Sequence, residues 1–362
     1  IKDLHQRGVS APVTFLLTQT TYAPPTESFP FTFSNLIQGV SATNTISIRP
    51  ANGVQVSIAG SGSPAIFNLN GCSFININGS DTLSNAGRKI TIRNTTGGAC
   101  VLLENDASFN QVRNCILYSD PFLNSDGIVK FGNRLLTGND NNVIDSCLIG
   151  AFSPTSRPSV CISANATTGP SQALSSNNII SNNEIANPNN FGILIDNDHE
   201  NFSIIGNSFY KNANYTHAGN FSFIRYSANG CFIANNFFGG SAANCGGALP
   251  TLFDGTSGTF SLMNLQGLDI IVRQNTFRRI QFTGIFNNSN HALIGVLYGK
   301  FLIQDNILGS DTGLASIQIN YTNPVATAGF SAINIGSSLG SALDSVQLIN
   351  NRIGAMQAMG GG

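Results

Sequence analysis

The side chains best placed for chemistry in this chain are Asp196, Asp198, His199 and Glu200, close together in the segment FGILIDNDHE (191–200). Alternation along a strand would put Asp196 and Asp198 on one face. Such a pair can hold calcium, or divide the work of general acid and general base at a sugar bond. His199 belongs to the same titratable cluster, and Arg225 is the only arginine near this turn. A groove enzyme needs its acids and bases on neighbouring strands within reach of one bond. The comparable strands elsewhere offer only Lys130 (Gly127 to Phe131) or no charge at all (Gly284 to Phe286). A solvated corner that keeps apolar strands soluble accounts for the same four residues.

A second group, Arg278, Arg279 and Lys300, could bind carboxylated sugars or an acidic partner through charge-assisted hydrogen bonds. Its plainer reading is a set of solvent-facing residues at strand ends. The four histidines, His5, His199, His217 and His291, lack metal-ligand spacing. No metal site or cofactor is assigned, and calcium at the acidic turn is the only cation considered.

Composition narrows the function classes further. Of 362 residues, 10% are charged and 41% hydrophobic, and 17 basic against 18 acidic side chains leave a net charge of -1. No basic stripe is available to neutralise a run of phosphates, so nucleic acid is not an expected partner. No uninterrupted apolar run is long enough for a spanning helix. Seven cysteines leave at least one unpaired within the chain. Cys231 and Cys245 flank a Gly-rich excursion that an oxidising exterior could close with a disulfide. Cys72, Cys100 and Cys161 read as buried thiols.

The elements that would carry these residues are set by a repeated phrase: an aliphatic residue, two variable positions, Asn, one variable position, then Ile, Leu or Phe. Its Asn falls at Asn183, Asn207, Asn236, Asn275, Asn306 and Asn351, and two earlier copies place Cys115 and Cys147 there instead. The intervals from Cys115 onward are 32, 36, 24, 29, 39, 31 and 45 residues. Between copies lie short alternating strands, often entered through Gly, and helical periodicity is nearly absent after residue 8. Short strands with Asn corners at this period predict an all-β chain wound as a right-handed, single-stranded parallel β-helix. Asn at one corner should stack as an inward ladder, with Cys115 and Cys147 continuing it as thiols. Phe209, Phe237, Phe238 and Phe277 are expected to stack inside the bore. Residues 1–60 are assigned to an N-terminal cap and first strands, 61–354 to coils, and 355–362 to a tail or linker.

The segment NNIISNNEIANPNNFGILIDNDHENFSIIGNSF (177–209) resembles the repeats of right-handed β-helix proteins of the carbohydrate-binding and sugar-hydrolase type. The opening, GVSAPVTFLLTQTTY followed by GVSATNTISIRPANGVQVSIAGSG, is similar to the N-terminal part of large secreted β-helix proteins of Bacteroidetes. That resemblance implies export by the type IX secretion system, an extracellular or outer-surface location and a further C-terminal sorting domain. It also implies possible O-glycosylation at Thr82 and Ser345, in Asp81-Thr82-Leu83 and Asp344-Ser345-Val346. The polygalacturonase signatures Asn-x-Asp, Asp-Asp, His-Gly and Arg-x-Lys are missing, and the calcium-binding acids and Arg base of pectate lyases are matched incompletely. The expected function is a non-catalytic, adhesin-like or stalk module that contacts polysaccharide, cell-surface or secretion components. The alternative is a polysaccharide lyase or glycoside hydrolase using Asp196, Asp198, His199 and Arg225.

Overall fold

The computed structural model describes all residues except 82–86, 122, 124–125, 154–156, 166–172, 215, 218, 256–259, 285–289, 311–315, 322–328, 337–344 and 359–362. Apart from one six-residue helix, Lys2–Arg7, the regular structure is β. Strands pair in parallel throughout the recorded registers, as a parallel β-helix requires. Two compact units are distinguished: 1–183 with 198–203, and 184–197 with 204–362.

In the first unit each coil contributes three strands. One coil runs through Ile46–Pro50, Val56–Gly60 and Ala65–Asn70, and the next through Ile75–Asn78, Ile90–Asn94 and Ala99–Glu104. Because side chains alternate across a strand, every second residue turns inward, and parallel register stacks these into files. Ile48, Ile77, Val112, Ile144 and Ile180 form one file; Ile58, Ile92, Leu117 and Ile149 form another. All of them are buried, and each such side chain contributes roughly 1.5–3 kcal/mol through burial. The helix places Leu4 in the interior at the N-terminal end.

The second unit repeats this plan with larger side chains. Phe209, Phe238 and Phe277 lie in register with Leu308. Their rings stack face to face, with centroids 4.8 Å and 4.5 Å apart, and all three are fully buried, as the sequence predicts. Phe237 points the other way and is half-buried. A further sheet, made by Thr216–His217, Thr251–Gly255, Ile280–Gly284, Ile317–Tyr321 and Met356–Ala358, widens these coils. The stretch read as a tail therefore begins with a paired strand.

The corners explain the repeated phrase. Asn236 shows the full pattern: its Oδ1 accepts from Asn207 N (2.8 Å) and Asn207 Nδ2 (3.0 Å), while its Nδ2 donates to Ile204 O and Asn275 Oδ1, both at 2.9 Å. Asn275, Asn306 and Asn351 continue the same connections. In the first unit Asn183 Oδ1 accepts from Cys147 N (2.9 Å) and its Nδ2 donates to Ile144 O. The thiol of Cys115 donates to Arg113 O and that of Cys147 to Asp145 O. The left-handed conformation falls one position before the ladder residue, at Asn114, Ser146, Asn182, Asn235, Gln274, Asp305 and Asn350. The ladder side chain itself is thereby free to point inward.

A second corner in the first unit carries another ladder, formed by Asn110, Asn142 and Asn178, with amide-to-amide distances of 3.1 Å. The residues just before its members adopt positive φ, at Phe109 (60°), Asn141 (55°) and Asn177 (57°), and so do those at the equivalent position of the adjoining coils, Phe74 (59°) before Ile75 and Asn201 (54°) before Phe202. Asn tolerates this region, whereas an L-residue with a bulky side chain pays about 1–2 kcal/mol there. The Phe74 and Phe109 rings stack 5.2 Å apart at 12°, which recovers only about 0.5–1.5 kcal/mol.

Candidate functional site

The acidic turn engages a partner that its sequence does not suggest. Asp198 Oδ2 lies 2.9 Å from Arg134 Nη2, and Arg134 also donates to the Asp198 carbonyl. The Arg134 side chain is 1% exposed against 44% for Asp198. A buried guanidinium cannot shed its charge, so it holds the carboxylate as its counter-ion. His199 opens the strand His199–Ile205, is buried, and meets Phe202 edge to face at 5.9 Å. Asp196 follows the strand Phe191–Ile195 and is half-buried. Arg225 sits in Ser222–Ser227, opposite Leu194, with its guanidinium 5.7 Å from the Phe191 ring centroid. Among the described residues no group of three or more His, Cys, Asp or Glu could hold a metal ion.

Two acids that the sequence did not single out, Asp106 and Asp140, lie in the first unit, where Asp140 feels the charges of Asp106 and Glu200. Asp106 accepts hydrogen bonds from the backbone N–H of Leu135 (2.9 Å), Leu136 (2.8 Å) and Gly138 (3.0 Å). Burial alone would raise its pKa, but these backbone donors outweigh it and hold the carboxyl below its usual value. Asp140 accepts from Ser176 N and Oγ. Its pKa is raised, chiefly by burial and then by the negative charges of Asp106 and Glu200. No local signal could have disclosed the Arg134–Asp198 pair, because its members are 64 positions apart in the chain.

The basic group is also dispersed. Lys300 pairs with Asp269 at 2.7 Å, both side chains well exposed, beside a hollow of about 270 Å3 lined by Ile270, Phe301, Ser345 and Gln347. Arg278 follows the strand Thr276–Phe277 of another sheet, and its Nε donates to Gly309 O at 3.2 Å. Arg279 adopts φ 56°, and its carbonyl accepts from Gly240 N and Thr251 N.

The proposed Cys231–Cys245 bridge is not formed: all seven cysteines are free and buried. Cys231 is in register with Ile270, whereas Cys245 lies in a turn and donates to Phe238 O at 3.4 Å on another sheet. Burial raises the thiol pKa to about 12 at Cys72 and Cys100 and to about 11 at Cys245. At Cys115 the hydrogen bond with the Cys147 thiol is the larger cause of a raised pKa, and burial adds to it. Of the two glycosylation positions, Thr82 lies outside the described residues, and Ser345 is exposed at the start of the strand Ser345–Ile349.

A groove of about 600 Å3 lies in the first unit and is lined by Gly62, Ser63, Thr96, Gly98, Asp126 and Lys130 among others. Buried Asn94 ties three of its lining residues together: its Nδ2 donates to Gly62 O (2.7 Å) and Ala99 O (2.9 Å) while its Oδ1 accepts from Thr96 N and Oγ1. Asp126 and Lys130 form an ion pair at 2.7 Å on the rim. The groove offers hydroxyl, backbone and paired-charge contacts, which suit hydrogen bonding to a polar ligand.

No helix among the described residues is long and apolar enough to cross a membrane. Neither a family model nor a curated protein matches this sequence. Among solved structures, the chain is similar to PfbA, a surface adhesin of Streptococcus pneumoniae, at 12% identity and a TM-score of 0.40, covering 93% of this chain and 87% of that one. It is also similar to an alginate lyase from Paenibacillus sp. str. FPU-7, at 14% identity and a TM-score of 0.35, with coverage of 88% and 94%.

Proposed function

We propose that this chain is a non-catalytic, adhesin-like module of a secreted or cell-surface protein, exported by type IX secretion, that contacts polysaccharide through its outward surface. The observation that carries this reading is the fate of the acidic turn. The carboxylate of Asp198 neutralises buried Arg134 and the His199 ring is out of solvent, so the group suited to acid/base catalysis serves the fold instead. No cofactor enters the reading.

The test is to incubate purified protein with neutral and acidic polysaccharides, following co-sedimentation together with release of reducing ends or unsaturated products. Binding without turnover supports the proposal. Turnover that Asp196→Ala abolishes overturns it in favour of the lyase or hydrolase alternative.

A further inference from the structure

The corner file Phe74, Phe109, Asn141, Asn177 and Asn201 poses a question that folding alone does not answer. All five residues share the left-handed conformation, which the three asparagines adopt readily and the two phenylalanines do not. Nor does the core need these rings. Phe109 is 48% exposed and Phe74 half-buried, and they contact each other at the surface instead of filling the bore. Strained residues that persist at a surface point to a contact made there.

The surroundings indicate the kind of contact. Parallel register places Asn76 beside Gln111 two positions after the rings, so amides flank the aromatic pair. Asn177 and Asn201 are exposed and extend the file with further amides, one per coil. The result is a strip one side chain wide, aromatic at one end and uncharged polar beyond. A stable protein interface needs about 800 Å2 per partner, much broader than such a strip. A polysaccharide is narrow, presents C–H faces to aromatic rings and hydroxyls to amides, and repeats on a length close to the coil spacing. Asp140 and Glu200 immediately precede Asn141 and Asn201, and the pKa of Asp140 is raised first by burial and then by repulsion from Asp106 and Glu200. A polyanionic chain would add to that repulsion.

We infer that the corner strip running from Phe74 and Phe109 to Asn177 is a binding site for a neutral polysaccharide, stacked on the phenylalanine pair and hydrogen-bonded by the amides. The inference rests on the glycan-binding reading above and gives it a location and a ligand class.

The experiment compares wild type with Phe109→Asn and with Phe74→Asn/Phe109→Asn, by co-sedimentation on amorphous cellulose and on chitin, with alginate as the acidic control. Asn is already accommodated three times in this file, so the variants should fold, and their thermal midpoints should equal or exceed that of wild type. The expected result is retention of wild type on at least one neutral polymer, with affinity about tenfold weaker or less for the double variant and little retention on alginate. Undiminished retention of a folded double variant would overturn the site while leaving the glycan-binding reading intact. Retention of wild type on alginate alone would overturn the ligand class. Failure of wild type to bind any polysaccharide, with capture of a protein from a cell surface instead, would overturn both the inference and the reading on which it rests.

Discussion

Replacing Asn236 by Ala probes the ladder where it is most completely connected. The substitution removes four hydrogen bonds: two from Asn207 to its Oδ1 and two from its Nδ2, to Ile204 O and Asn275 Oδ1. The Asn207 N–H and the Ile204 carbonyl are then left buried without these partners. Each stranded group costs about 1–3 kcal/mol, so a loss of about 2–6 kcal/mol is expected, more than a typical single substitution. Guanidinium unfolding followed by circular dichroism measures it. The Asn236→Asp variant supplies a control of the same shape. It keeps an acceptor for Asn207 but turns a carboxylate toward the oxygens of Ile204 and Asn275, which raises its folded pKa above the unfolded value of about 3.9. Its deficit relative to wild type should therefore be largest near neutral pH and shrink as the pH falls toward 4, where the protonated carboxyl can donate again. Losses below about 1 kcal/mol for Ala, together with a pH-independent deficit for Asp, would refute the claim that the amide network holds the corners.

Other consequences can be measured independently. His291 is fully buried and its Nδ1 accepts from Phe260 N at 3.1 Å; burial lowers its pKa to about 4. The unfolded chain therefore binds this proton first, and about 3 kcal/mol of stability present above pH 6.5 should be lost as the pH falls toward 4. His291→Gln should flatten that part of the stability profile. Phe238→Ala removes the middle ring of the buried stack and should cost about 3–5 kcal/mol in denaturant unfolding. Thiol titration should find all seven cysteines only after unfolding, with slow reaction before it, since all are buried and free; recovery of five or fewer without reductant would restore the disulfide. Asp198→Ala should destabilise the fold by about 1–3 kcal/mol by stripping Arg134 of its counter-ion, and Arg134→Met/Asp198→Ala should regain part of that loss.

The sequence disclosed the fold through one corner because Asn183 to Asn351 recur with fixed apolar neighbours on both sides. The second ladder, Asn110, Asn142 and Asn178, escaped notice. It has only three members, one preceded by Phe and two by Asn, in a chain where Asn is common. The acidic turn was visible as a cluster, but its fate was not. Arg134 reaches Asp198 only because coils bring distant positions together, and a linear reading cannot tell a counter-ion from a catalyst. Phe74 and Phe109 were hidden for the opposite reason: nothing in their local sequence announces a left-handed corner, since phenylalanine is a poor occupant of one.

The amide-pinned corner also bears on how such a chain could change over time. Successive pinned residues are separated by 36, 29, 39, 31 or 45 positions, yet the side-chain bonds at each step stay near 3 Å. Each corner thus resets the path of the backbone, so that extra length acquired in one winding is confined there and not passed to the next. New outward segments can be grafted or trimmed one winding at a time, and a lineage could diversify its exterior while its scaffold stays the same.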